Sequence, residues 1–269
     1  MNPYLPIRKV PLDDDRIQSS AFSVQMQKPN DTSFSWSEVG VVGNSYMLLP
    51  NEEVKNAAHQ VAEECKIDFV HDKTFFNGRN FVYSMKSQHV AGEVKAGDDV
   101  ALGMQFWNSY DGSKAFGFAM MLYRLICTNG MMSKDHFNTY RFKHEPKSED
   151  WGDSLEQVVT NINNLVGGTY QLDDFITNLR KLSNIHVTID TLGDIRHKHL
   201  QEIPITIWGQ LVDHFLLKAN ALQLPPSESY TGWELLNAGT DLLWHKENPT
   251  ITTYSQNAAI VDGLCRAVA

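Results

Sequence analysis

"VALGMQFWNSYDGSKAFGFAMMLYRLICTNG", residues 100–130, is the stretch whose reading decides the fold. Val100, Leu102, Met104 and Phe106 recur at every second position, the period that turns one side of a strand toward a core. Tyr110-Asp111-Gly112-Ser113 then carries turn chemistry, which makes the segment a hairpin. The return from Lys114 is apolar throughout, so periodicity alone does not separate helix from strand there. The hairpin context makes its first half a strand. Asn129-Gly130 is expected to end the run in a turn with positive φ, a conformation that also forms a backbone nest for an anion.

Working upstream, "KIDFVHDKTFFNGRNFVYSMKS" (66–87) holds Asn77-Gly78 between two β-prone runs, a strong hairpin signal. "VGVVGNSYMLLPNEEVKNAAHQVAEEC" (39–65) reads as strand, then helix, with Asn51 at the N-cap and Glu52 and Glu53 at the positive helix end. Val54, Ala57, Ala58, Val61, Ala62 and Cys65 give that helix one small apolar face. Before it, Pro3, Pro6, Pro11 and Pro29 predict an irregular arm over 1–35.

Downstream of Pro146 the pattern turns helical. Asp153 or Ser154 is placed to cap a helix carrying Leu155, Val158, Val159, Ile162 and Leu165. Leu172 to Leu182 form a second helix, and Pro204 suits the first turn of a third that runs through Ile207, Trp208, Leu211 and Phe215. "SYTGWELLNAGTDLLWH" (229–245) and "TYSQNAAIVDGLCRAV" (253–268) are two more. The expectation is an α+β fold. It has an arm at 1–35, then a core at 36–150 built of a mixed or antiparallel sheet with a packed helix. A mainly helical region, 151–269, packs on that core.

The 269 residues carry a net charge of −9, three widely spaced cysteines and no C-x-x-C pair. That argues against a disulfide framework or a structural zinc site, and no cofactor is implied. No stretch is long and apolar enough to cross a bilayer, and "MNPYLPIRKVPLDDD" has no secretory h-region, so no membrane association and a cytoplasmic location are expected. The three adjacent acids Asp13 to Asp15 do not by themselves make an ion site.

Charge is unevenly spread. From Lys114 to Lys147 six Lys/Arg face two acids, so this window is +4 and the remainder −13. Arg124, Lys134, Arg141, Lys143 and Lys147 are therefore the candidate nucleic-acid contacts. Phe137, Tyr140 and Phe142 lie among them, the mixture that single-strand binders use. In an extended chain, however, Tyr140 and Phe142 share one face and Arg141 and Lys143 the other, which points cations to solvent and aromatics inward. Arg124 sits in an apolar run, where it is either an internal ion pair or a phosphate contact at the mouth of a groove. No H-E-x-x-H, G-x-S-x-G, Walker or G-x-G-x-x-G pattern occurs, so no catalytic residues are assigned. His197 and His199 share a face only if their segment is a strand.

Four segments together resemble a phage/plasmid-like domain of unknown function found in bacteriophage and conjugative-plasmid genomes. They are "VVGNSYMLLPNEE" (41–53), "FWNSYDGSKAF" (106–116), "YRLICTNGM" (123–131) and "TGWELLNAGTDLLWH" (231–245). The positions that carry the likeness are Tyr46, Asn51 and Glu52; Arg124, Cys127, Thr128, Asn129, Gly130 and Met131; and Trp233, Asn237, Ala238, Thr240 and His245. The resemblance covers roughly residues 40 to 260. It implies work on replicating or recombining DNA in a bacterial host, and with the basic window it leads to an expectation of single-stranded DNA binding or annealing by a homo-oligomer. The alternative expectation is a protein-interaction module for virion assembly or anti-defence, with a host or phage protein as partner.

Overall fold

The computed structural model describes residues 1–12, 20–29, 33–127, 129–135, 137, 139–144, 160, 169–221, 230–246 and 251–268. Its strands are β1 (Ile7–Pro11), β2 (Ala21–Pro29), β3 (Phe34–Gly43), β4 (Phe69–Phe76), β5 (Asn80–Lys95), β6 (Asp98–Ser109), β7 (Phe116–Arg124), β8 (Asn129–Met132) and β9 (Thr139–Phe142). The helices are α1 (Asn51–Glu64), α2 (Thr169–Ser183), α3 (Ile189–His199), α4 (Ile205–Ala221), α5 (Gly232–Trp244) and α6 (Ile251–Arg266). Strands dominate up to residue 142 and helices follow, so the fold is α+β.

β1, β2 and β3 form an antiparallel sheet in the order β1-β2-β3. Residues 7–11 and 21–29 are thus strands, where an irregular arm was expected. The prolines fit because Pro11 and Pro29 are the last residues of their strands and Pro3 and Pro6 precede the first. At those places a missing N–H breaks little of a ladder. A bulge between Val24 and Gln25 shifts the register against β3. The inner face, with Val24, Met26, Val39 and Val42, packs on Tyr110.

The second sheet runs β4-β5-β6-β7-β8, with β9 also on β7. Two short strands divide the edge of β7: β8 pairs with Met121–Arg124 and β9 with Phe116–Ala119, both antiparallel. The Asn77-Gly78 hairpin is present, with Gly78 at φ +94°, and Gly112 turns the β6–β7 hairpin at φ +69°.

Asn129-Gly130 is not a turn. It opens β8, and Gly130 has no positive φ. A Cβ on Gly130 would sit 2.6 Å from the Trp244 ring, so the glycine is required by close packing rather than by backbone curvature.

Packing groups the chain into two compact units. The first comprises 1–85, 104–119 and 139–163, and the second 86–103, 120–138 and 164–269. These units cut across the limits expected at residues 35 and 150, because β5, β6 and β7 each run through both. In the second unit α5 packs on α2, α4 and α6, and buries Trp233, Leu235, Leu236 and Trp244. Thr231 caps α5, its hydroxyl accepting from the Glu234 N–H at 3.3 Å. Of the helix expected over 155–165 only Thr160 is described, and it is helical; the rest lies outside the described residues, as do Asp13 to Asp15.

Candidate functional site

Of the candidate nucleic-acid contacts, Arg141 and Lys143 belong to the first unit, and Arg124 and Lys134 to the second. Lys147 lies outside the described residues. On β9 the alternation holds: Thr139 and Arg141 are exposed, while Tyr140 stacks on Phe118 and Phe142 on Phe116. Lys143, just beyond the strand, is exposed as well. Lys134 is exposed, and its backbone N–H donates to Asp262 at 3.0 Å.

Arg124 does not face solvent. Its Nε and Nη2 donate to the two Asp98 oxygens at 2.7 and 2.6 Å, and Glu234 lies 3.7 Å from Nη1. Trp233 Nε1 donates to the same carboxylate at 2.7 Å, and Lys95 pairs with Glu234 at 2.6 Å. Burial alone would lower the Arg124 pKa. The bonds to Asp98 and the charge of Glu234 outweigh it and hold the group above its ordinary value. Of the two roles that the sequence left open, the ion pair is the one present.

The other positions of the late segments are bonded to each other too. With its amide oriented to suit its neighbours, Asn129 has its nitrogen 3.0 Å from Asp241 Oδ1, and 3.1 Å from both His245 Nε2 and the Cys127 carbonyl. Asp241 also accepts from Lys218 at 2.6 Å and His214 at 2.7 Å. Burial pushes its carboxyl up, but those two donors hold it below the ordinary carboxylate range. On α6, the Asn257 amide donates to the Gly130 carbonyl at 3.0 Å and accepts from the Met132 N–H at 2.9 Å. One side chain thereby occupies the place of a neighbouring strand and closes the β8 edge. Ser133 donates to Asp262 at 2.6 Å. Among the described residues, no three His, Cys, Asp or Glu side chains are grouped to hold a metal ion. His197 and His199 are on helix α3, so they do not share a face.

The early segments meet in the first unit. Pro50, not Asn51, is the N-cap of α1. Asn51 is buried: its Nδ2 donates to the Pro3 carbonyl and its Oδ1 accepts from Asn108, each at 3.0 Å. The Tyr110 hydroxyl accepts from the Asn51 N–H at 2.9 Å. Tyr46 donates to the Ser109 carbonyl at 2.6 Å, and burial pushes its pKa up to about 12, so it stays protonated. These bonds lock the strand-to-helix passage onto the β6–β7 hairpin.

Beside that junction opens a cleft of about 430 Å³. Three pieces of chain form it: the end of β3 with Ser45 and Tyr46, the hairpin tip with Asp111, Gly112 and Lys114, and Lys143 with His144. His144 is 6% exposed and stacks on Tyr46 with ring centroids 4.5 Å apart. Its backbone carbonyl accepts from the Met47 N–H at 2.9 Å, and its Nδ1 lies 3.0 Å from the Met47 carbonyl. A carbonyl only accepts, so Nδ1 carries the proton and Nε2 of the neutral ring is a bare acceptor. Nε2 is buried and has no partner among the described residues. Burial lowers the pKa of this ring, and the Met47 bond offsets that only in part. Nothing in the sequence marked His144 beyond its possible charge, because its role depends on three segments separated by up to about a hundred residues.

Among the described residues the α+β fold thus carries a cleft lined by Lys114, Lys143 and Asp111 and a buried polar network around Asp98 and Asp241. Residues 38–264 match the family described as Domain of unknown function (DUF932), and the chain belongs to that family. No curated protein matches it, and no solved structure does.

Proposed function

We propose that the chain is a non-enzymatic protein that binds single-stranded DNA in replication or recombination of a phage or plasmid, with its phosphate contacts on the first unit. The observation that carries this reading is the outward row of Arg141 and Lys143 at β9, with Lys143 and Lys114 both lining the cleft. Among the described lining residues Asp111 is the one acid, and its Oδ1 already accepts from the Ser113 N–H at 3.0 Å. The −9 body repels a polyanion at long range, but salt screens that beyond about 10 Å at 0.1 M, while contacts within the cleft persist.

Fluorescence anisotropy with a labelled single-stranded oligonucleotide at low salt tests this reading. Binding is expected to weaken steeply with salt, because phosphate contacts release counterions. Replacing Lys114, Arg141 and Lys143 together by Met is expected to flatten the log–log slope by about 2, at roughly 0.7 per contact on a single strand. No binding by the wild type, or an unchanged slope in the triple variant, overturns the proposal. A protein-interaction role is the second reading, favoured by the exposure of Ile189, Ile205 and Leu217 on α3 and α4. It predicts that charged replacements at these three positions abolish a partner interaction without changing the oligonucleotide affinity.

A further inference from the structure

We infer that the cleft of the first unit seats one nucleotide of the bound strand, with its phosphate on Lys114 and Lys143 and an N–H or O–H of its base or sugar donated to His144 Nε2. This rests on the single-strand reading above and adds a recognition element to it.

Three observations lead there. The cleft, at about 430 Å³, falls in the range of about 300 to 1,000 Å³ that small-ligand sites occupy. Its described lining offers two cations and one acid, an environment that suits a phosphate on the lysine side and disfavours it beside Asp111. Its lining also includes His144, whose buried Nε2 has no partner among the described residues and is expensive to leave as it is. A buried acceptor without a donor loses its hydration and gains nothing in return. The protein nonetheless holds this ring firmly, with Nδ1 on the Met47 carbonyl, the face on Tyr46 and the backbone paired with Met47. Those contacts fix the tautomer and so keep Nε2 an acceptor. A simple anion site would instead present a donor. The acceptor fits a ligand that carries a hydrogen-bond donor next to its negative charge. Every nucleotide with an exocyclic amine, an imino group or a 2′-hydroxyl meets that description.

The test uses the full chain and three strands of equal length: deoxycytidine DNA, the same backbone with tetrahydrofuran in place of each base, and cytidine RNA. His144→Asn keeps a donor where Nδ1 stood and removes the Nε2 acceptor. It is expected to weaken binding about three- to tenfold on strands that supply a donor, the effect of one hydrogen bond. Affinity for the baseless strand should not change. His144→Gln, which places an amide oxygen near the Nε2 position, should restore most of the loss. A loss on both DNA with bases and RNA identifies a base donor, and a loss on RNA alone identifies the sugar hydroxyl. If His144→Asn binds all three strands like the wild type while the Lys114/Lys143 double Met variant does not, the inference falls and the single-strand reading stands. If the wild type binds none of them, both fall. Should His144→Asn fail to fold, the nitrogen-15 resonance of Nε2 in the wild type decides. It is expected to move at saturation with the cytidine strands, and an unmoved resonance overturns the inference.

Discussion

In the second unit, the segments around Arg124–Met131 and Trp233–His245 meet and bond mainly to one another, although Asn237 Oδ1 is buried without a partner among the described residues. Asp98 takes Arg124 and Trp233, Asp241 takes Lys218 and His214, and Asn257 takes the Gly130 carbonyl and the Met132 N–H on the β8 edge. In the first unit, the segments around Tyr46–Glu52 and Phe106–Phe116 also meet. They too are joined by buried bonds, through Asn51, Asn108 and Tyr110. Among the described residues Asn108 Oδ1 is left unpartnered inside the joint, and beside it lies an open cleft lined by His144, whose Nε2 has no donor. Both pairs of segments keep an unpartnered buried oxygen, Asn237 Oδ1 and Asn108 Oδ1, and they differ in that the pair in the first unit borders a cleft whose lining includes His144. Residues whose valences are all met inside the fold serve stability, and unmet valences at a cleft are what a ligand recognises.

The largest effect expected from this contrast is at Asp98. Asp98→Ala strips Arg124 of a bidentate partner and leaves the Trp233 N–H unpaired in the interior. Removing one member of a buried pair costs about 3 to 5 kcal/mol, because the charge left behind is neither solvated nor paired. Urea unfolding should show that loss, while the oligonucleotide affinity of the protein that remains folded stays unchanged. Replacing both members, Asp98→Leu with Arg124→Met, should cost much less. If Asp98→Ala is no less stable than the wild type, the second unit is not the closed network described.

Gly130→Ala comes next. The added methyl would lie 2.6 Å from the Trp244 ring, which Tyr123 and Tyr254 also hold edge-on. Overpacking of this kind costs about 1 to 3 kcal/mol, which should appear as a lower thermal midpoint. An unchanged midpoint would mean that Trp244 yields easily, and that the network is looser than its distances imply.

These positions also explain what was legible beforehand. The β4–β5 and β6–β7 hairpins follow from their turn residues and β-prone runs, since β7 is buried throughout and shows no period, while the helices carrying Leu172–Leu182 and Ile207–Phe215 follow from a period of 3.6. Asn129-Gly130 has the composition of a turn, and its pairing with β7, together with Trp244 and Asn257 from over a hundred residues away, makes it a strand. The prolines of residues 1–35 have the composition of an irregular arm, yet Pro11 and Pro29 end strands and Pro3 and Pro6 precede the first. Arg141 and Lys143 were legible as outward cations from alternation alone. Lys114 was visible only as charge, and His144 Nε2 not at all, because its environment is assembled from three distant segments.

The smallest effect sharpens the contrast at His144 itself. Its pKa lies below the ordinary 6.5 because the ring is buried, so the folded chain binds this proton less readily than the unfolded chain. Between the lowered value and about 6.5 the unfolded state holds more protons, and stability rises with pH across that window. The contribution is present above about pH 6.5 and is lost as pH falls. Asp262 works in the opposite sense. Burial raises its pKa, so its proton favours the folded state and its contribution fades as pH climbs from about 3.8 through the raised value. The two overlap in a single titration of stability. Subtracting the curve of His144→Asn from that of the wild type removes Asp262, which both proteins share. The difference should slope upward from acid toward pH 6.5 and flatten beyond it, as read by urea midpoints in steps of about half a pH unit. A flat difference curve would mean that Nε2 takes up a proton in the folded state as easily as in water. The nitrogen would then be solvated rather than withheld for a ligand, and the first unit would be no more open in its chemistry than the second.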